Sequence, residues 1–545
     1  GYRYIQGVGV VWEVVANASG YVLPEMYGAD PTGATVSTAS LLAFNTAVFA
    51  GVAGVMDGDY LIDGIITPTS NQSNGNVSLL FNLASITVDA GATYFDYVFY
   101  YSTDQELNAK ITGVLTLNGN SRVGSGYRID YSGTTAQGHA YVSDWVVKDL
   151  FRDGATVTAS AAAGLITGKL LTAKIHNCYV NGVDRTDGAS GNECKGFAIS
   201  GFSEFASITD SVAKNVLTPS VDADGFSVFA DAPIGTYPER PSKGVISDCL
   251  AVDCQGRSYK GQCTDLTIRN PTVKRKDVVA IAQAVDFDFQ FGGGELVNPT
   301  VIYELDGATS PLGSSHTVVV ADGRIDDAPS VCKVRGGVIH TEAAIPRIAL
   351  LTHDEQDSEI DIDGLDVAPR GGLTTAVSRA YVEINLTGFG VADNATIRVR
   401  NTKAAVGAFP LVGYVGYDGA TDLKDSLHFD LVGNTNTASG TTPIYTQLSG
   451  NVVPQINDIK IRDNDGYRIY LLTETIDCDS LPSGTKLGMD LSGVTLSNGP
   501  ATASVANAVL ESNTDLFAGW AHQTLTTSDG EYWSRMTGGA WTQLV

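Results

Sequence analysis

Six short stretches decide the fold: Ile175-His-Asn-Cys-Tyr-Val, Ile208-Thr-Asp-Ser-Val-Ala, Ile246-Ser-Asp-Cys-Leu-Ala, Leu266-Thr-Ile-Arg-Asn-Pro-Thr-Val, Leu296-Val-Asn-Pro-Thr-Val and Gly337-Val-Ile-His-Thr. They read as strands of one type. The steps from Ile175 to Ile208, Ile246, Leu266 and Leu296 are unequal, the one from Ile246 to Leu266 being the shortest. Unequal steps suit stacked coils that share a constant inner turn and differ in their loops. One coil cannot bury its apolar face alone, whereas a stack shares a continuous core and pairs every strand. The evenly spaced Asn-Gly turns of a β-sandwich are scarce. The repeats therefore predict a parallel β-helix over residues 61–403.

The composition agrees with an array. A chain of 545 residues is too long for one compact core. Gly accounts for 60 residues, charged residues are 17% and Met only 4. Val-, Ile- and Thr-rich runs broken by Gly, Asn and Asp make an all-β protein. Leu41 to Val52 is the one good amphipathic helix candidate.

A net charge of −26 and a pI near 4.5 argue against nucleic acid as a partner, because phosphate binding needs clustered Lys and Arg. Most of the acidity reads as a solvated surface. The odd set of seven cysteines is too sparse for a disulfide scaffold. They read as packed thiols in a chain folded in a reducing cytoplasm. Cys249 and Cys254 lack the partners zinc requires, so no metal and no cofactor is expected. No run of 18 apolar residues exists, so no membrane span is expected.

Beyond the coils, Tyr27-Gly-Ala-Asp-Pro-Thr-Gly-Ala-Thr-Val-Ser-Thr is a turn leading into the helical run. Residues 1–60 thus read as a cap. After Ala404 the pattern alternates differently, in His428-Phe-Asp-Leu-Val and Asn457-Asp-Ile-Lys-Ile-Arg, so 404–545 is expected to form one or two antiparallel β domains.

Glycoside hydrolysis needs two carboxyl groups at one sugar bond, one acid and one base or nucleophile. Neighbouring coils supply such pairs about one coil apart. Glu193 and Asp224 meet that rule. Asp222 and Asp224 sit on a turn entering a strand, where Gly225 would let a substrate approach the backbone. The alternative is that both are plain turn formers. Asp286 and Asp288, in Val285-Asp-Phe-Asp-Phe-Gln, would share one side of a strand, or else mark a solvent-facing edge. Glu239 and Arg240 read as substrate contacts or an ion pair, and Arg257 and Lys260 could hold a sugar carboxylate. Tyr259 with Lys260 could instead serve β-elimination beside a uronate. The histidines, His176, His316, His340 and His353, are scattered and read as structural.

The opening segment looks like that of pectate-lyase-like and polygalacturonase-like β-helices. The run from Asp224-Gly-Phe through Ala230-Asp and Tyr237-Pro-Glu-Arg-Pro to Ile246-Ser-Asp-Cys resembles the active-site coil of O-antigen-degrading phage tailspikes. The resemblance implies a right-handed helix, a homotrimer, and a virion protein that binds and depolymerises a bacterial surface polysaccharide, O-antigen or capsule. It also implies attachment to the phage tail or baseplate through a missing N-terminal part. Asp224 matches the first aspartate of that family's Asp-Gly-Phe-Asp strand and Glu193 its glutamate, but Ser227 stands where the second aspartate belongs. Two other readings stay open, a polysaccharide lyase and a non-catalytic adhesin on the same scaffold.

Overall fold

The computed structural model describes residues 19–67, 75–152, 161–185, 194–218, 223–230, 241–277, 280–281, 284–290, 292–307, 309–322, 331–352, 358–385, 394–415, 426–438, 442–449, 455–462, 464–465, 467–468, 489–490, 522–526, 532–536 and 542–543. It is 64% strand and 5% helix, a parallel β-solenoid of about 11 turns. The chain divides into two compact units, residues 1–284 and 285–545.

One coil of the first unit shows the construction. The strand Cys194–Ser200 is followed by Ser203–Thr209 and Val212–Leu217, and the next coil begins at Ala223–Phe229. Each strand pairs in parallel with its counterpart one coil on, through Phe197↔Phe226, Ile208↔Ile246 and Ala213↔Ala251. The first strand of each coil belongs to one sheet and the other two to another. The quoted repeats are the corner between those last two strands. Asn177, Asp210, Asp248 and Asn270 take φ of 49°, 53°, 55° and 48° there. Asn and Asp tolerate this left-handed conformation because their short polar side chains bond locally. Asn177 donates to Asp144 at 2.7 Å and Asn270 to Asp248 at 3.0 Å. Corner amides are satisfied by the adjacent coil, as in Asn177 N–H to Thr209 C=O at 3.0 Å. Just before the corner, Ile175, Ile208, Ile246 and Ile268 are all wholly buried.

Register corrects one step of the repeat. Ile246 pairs with Ile268 and Gly244 with Leu266, so the counterpart of Ile246 in the next coil is Ile268 and not Leu266. Two cysteines, Cys178 and Cys249, follow the corner directly, and all six described cysteines are buried thiols outside any disulfide. Cys478 lies outside the described residues.

The helix spans Thr38–Phe49, starting and ending three residues before the apolar run suggested. Asp30 fixes the turn ahead of it by accepting from the amides of Thr32 at 3.0 Å and Thr35 at 2.9 Å. Leu41, Phe44 and Val48 are wholly buried. Asn45, also buried, donates to Ile66 C=O at 2.8 Å and accepts from the Tyr101 hydroxyl at 3.1 Å. The helix therefore covers residues of the first coils.

The second unit repeats the scheme with corners at Asn298, Gly336, Gly364, Asn401 and Gly433, at φ of 51° to 76°. Successive register partners on the sheet that takes two strands per coil alternate in charge, Glu295, Lys333, Asp361, Arg398, Asp430, so opposite charges face each other along the row. The stretches around His428 and Asn457 are not antiparallel. Ser426–Val432 and Gln455–Arg462 pair in parallel, through Leu431↔Ile461, and continue the coil past residue 403. Their apolar positions match those of the strand Asn394–Arg400 beneath, which is what parallel stacking requires. Antiparallel pairing occurs at the end, among His522–Thr526, Tyr532–Met536 and Thr542–Gln543.

Candidate functional site

In the first unit, Cys194–Ser200, Ala223–Phe229 and Arg257–Gly261 lie side by side in parallel. Phe197, Phe226 and Tyr259 are register partners whose rings stack with centroids 6.3 and 5.3 Å apart, and all three are wholly buried. The Tyr259 hydroxyl donates to the carbonyls of Cys249 and Thr272, which belong to the rest of the coil. This stack therefore points inward, and the residues directly after it, Ala198, Ser227 and Lys260, point outward. The structure gives Tyr259 a core position in place of the expected substrate contact.

A charged cluster occupies the outward side. The Lys195 and Lys260 ammonium groups lie 4.2 and 5.7 Å from the centroid of the Phe229 ring. Lys195 is the register partner of Asp224 and donates to its Oδ2 at 2.8 Å. Arg257, its partner on the other flank, reaches Oδ1 at 3.4 Å. Phe229 lies two residues after the outward Ser227, so the ring that Lys195 and Lys260 share places the cluster on that side, where Asp224 is 0%, Lys195 1% and Lys260 6% exposed. Burial alone pushes the Asp224 carboxyl up, but Lys195, Lys260 and Arg257 outweigh it and hold it well below the usual carboxylate range. Asp224 is thus a fixed anion at neutral pH.

Lys195 was not among the expected site residues, and its signal lies in an echo. Lys195-Gly-Phe and Asp224-Gly-Phe are the same three positions in successive coils. The glycines face the neighbouring coil. A Cβ on Gly225 would lie 2.7 Å from Ser258 O and 2.9 Å from the Cys254 sulfur, so the close approach is to the protein's own backbone and not to a substrate. Ser227 Oγ is buried with no hydrogen-bond partner among the described residues. Glu193, Asp222, Glu239 and Arg240 lie outside the described residues, as does His353.

In the second unit, Asp286 and Asp288 are held by separate partners. Asp286 accepts from the Tyr303 hydroxyl, and His316 Nε2 lies 3.1 Å from the carboxylate and 3.0 Å from that hydroxyl. Tyr303 belongs to Thr300–Tyr303 in the other sheet, so this contact spans the interior of the coil. Asp288 accepts from Gln290 at 2.6 Å. Asp286, Tyr303 and His316 are all essentially unexposed. The buried Glu383 forms ion pairs with the buried Arg347 at 2.6 Å and with the exposed Arg379 at 2.8 Å.

No protein-family model matches the sequence, and no curated protein matches it. Some solved structures are similar to the chain at low identity. The surface protein and adhesin PfbA of Streptococcus pneumoniae is similar at 10% identity and a TM-score of 0.42, over 87% of this chain and all of that one. A tailspike protein of E. coli bacteriophage HK620, in complex with a pentasaccharide, is similar at 11% identity and a TM-score of 0.41, over 87% of this chain and 78% of that one. The catalytic unit of an α-1,3-glucanase from Streptomyces thermodiastaticus is similar at 12% identity and a TM-score of 0.37, over 87% and 73%. A tailspike, an adhesin and a glucanase thus all occur among the structures similar to this chain.

Proposed function

We propose that the chain binds and depolymerises a bacterial surface polysaccharide, O-antigen or capsule, by endo-glycosidic hydrolysis, as the homotrimeric host-attachment spike of a phage. The observation that carries this reading is the cluster of Lys195, Asp224, Arg257 and Lys260 on the outward side of the first unit. Four ionisable side chains taken out of water are not what folding alone favours, since apolar residues of similar volume would serve stability as well or better. Such clusters mark functional sites.

The ionised state of Asp224 divides the labour. A fixed anion suits the base or nucleophile of a two-carboxyl mechanism, or the anchor that holds Lys195 and Arg257, and leaves the acid's part to another carboxyl. Glu193 and Asp222 are the candidates, because each directly precedes one of two register partners, Cys194 and Ala223. Arg257 and Lys260 supply positive charge for an acidic sugar, with Glu239 and Arg240 as further contacts. Asp286 and Asp288 are the alternative pair.

A second reading, an adhesin without catalysis, is favoured by Ser227, which has neither acid nor base to offer, and by the complete enclosure of Asp224. Reducing-end release from a panel of capsules and O-antigens separates the two. Wild type is expected to cleave one polymer, while Glu193→Gln and Asp222→Asn still bind it and cut it at least a hundredfold more slowly. Binding without any cleavage by wild type establishes the adhesin. An unsaturated product absorbing in the ultraviolet establishes the lyase.

A further inference from the structure

Four residues in the first unit stand apart from the charged cluster and are half-buried, with one side open to water: Tyr97, Tyr100, Arg128 and Asp130. The two tyrosine rings are stacked, with centroids 5.3 Å apart and planes at 21°. The Arg128 guanidinium lies 5.9 Å from both ring centroids. Its Nη1 donates to the Tyr97 hydroxyl at 3.3 Å and its Nη2 to Asp130 at 3.3 Å. Both bonds are long for their type. The Arg128 Nε is a buried donor with no hydrogen-bond partner among the described residues.

Register places this group relative to the cluster. Tyr100, Arg128, Leu165, Ala198, Ser227 and Lys260 are successive partners across one parallel sheet. Ser227 and Lys260 face outward, so the row does, and five strand steps of about 4.8 Å separate Tyr100 from Lys260 by about 24 Å.

We propose that Tyr97, Tyr100, Arg128 and Asp130 form a subsite for a neutral pyranose of the polymer. A pyranose presents an apolar C–H face and a rim of hydroxyls. The tyrosine pair offers a flat apolar platform of low conformational entropy. Asp130 offers carboxylate oxygens to hydroxyl donors, and Arg128 offers donors held in a fixed plane. Arg128 is balanced by Asp130, with Asp96 acting on Tyr97, so this end has no excess of cations, which suits an uncharged sugar and distinguishes it from the cation-rich cluster. Tyr and Arg are also the residues that most often carry binding energy when set together at a surface.

The inference rests on the polysaccharide reading above, and one experiment tells their failures apart. Purified O-antigens and capsular polysaccharides are arrayed, and the Kd of the retained polymer is measured for wild type, Tyr100→Ala, Tyr100→Phe and Arg128→Gln at low and high sodium chloride. Tyr100→Ala and Arg128→Gln are expected to weaken binding at least tenfold. Tyr100→Phe keeps the ring and stays within about twofold, which shows that the site has not unfolded. The ratio of wild type to Tyr100→Ala stays constant with salt, because no net charge is involved. Undiminished binding by Tyr100→Ala and Arg128→Gln overturns the subsite and leaves the proposed function standing. A ratio that collapses in salt overturns the neutral sugar. Retention of no polymer by wild type overturns both.

Discussion

Asp224 in the first unit and Asp286 in the second make an instructive pair. Each is the second residue of a strand in the sheet that takes one strand per coil, and each is 0% exposed. Asp224 meets Lys195 and Arg257, delivered by the coils on either side. Asp286 meets Tyr303 and His316 across the interior. One carboxylate is locked by cations at an outward face, whereas the other is tied into the core by a hydroxyl and an imidazole. Residue type and place in the strand are shared, so the difference in role comes from the face: Asp224 meets cations brought by the neighbouring coils, and Asp286 meets groups across the interior.

The sharpest way to break this comparison is to remove one member of each group. Asp224→Asn leaves Lys195 and Arg257 facing a neutral side chain, and the loss of one partner from a buried pair is expected to cost about 3–5 kcal/mol in denaturant unfolding. The double variant Lys195→Met, Asp224→Leu recovers most of that loss. A single variant with unchanged stability would mean that Asp224 is not locked. Tyr303→Phe takes the hydroxyl from Asp286 and is expected to cost about 1–3 kcal/mol, the penalty for a buried polar group that loses a hydrogen-bond partner.

Acid sharpens the same contrast. Burial raises the Asp361 carboxyl, but Arg335 and Arg400 outweigh it and keep it below its ordinary value of 3.8. A depressed folded-state pKa adds stability above the unfolded value and withdraws it as pH falls through the folded one. Wild type should therefore lose stability below about pH 4. Asp361→Asn, less stable by about 1–2 kcal/mol at pH 7, should converge with wild type as both are acidified. Parallel curves would refute the ion-pair account. The smallest effect concerns the corners shared by both units. Asn270→Ala should cost about 1 kcal/mol, because at its φ of 48° alanine keeps the Cβ but loses the side-chain amide that bonds Asp248, while Asn270→Gly should be nearly neutral.

The corner residues explain why the fold was legible in the sequence. Asn and Asp recur two positions after a buried Ile or equivalent because only they and Gly bend the chain there, so one motif reports both core and turn. The position of the helix was readable to within three residues from its apolar run. The antiparallel ending was misplaced, since Ser426–Val432 and Gln455–Arg462 alternate in a way that fits either strand direction, and direction depends on what lies beside a strand. The site was less legible for the same reason. Asp224 stood out by its motif, but its partner Lys195 could be found only by aligning two Gly-Phe echoes one coil apart. Tyr259 looked like a ligand contact because its neighbours are cationic, and a single-residue change of side sends it into the core. Tyr97, Tyr100 and Arg128 gave no signal, because nothing in their spacing reveals which rings will stack.

The most direct test of the central claim is a crystal structure of the full chain with a bound fragment of the polymer it retains. The account predicts sugar density along the outward side of the first unit, over the strands from Phe95–Thr103 to Arg257–Gly261. Density confined to the second unit, or to the charge-alternating sheet, would contradict it.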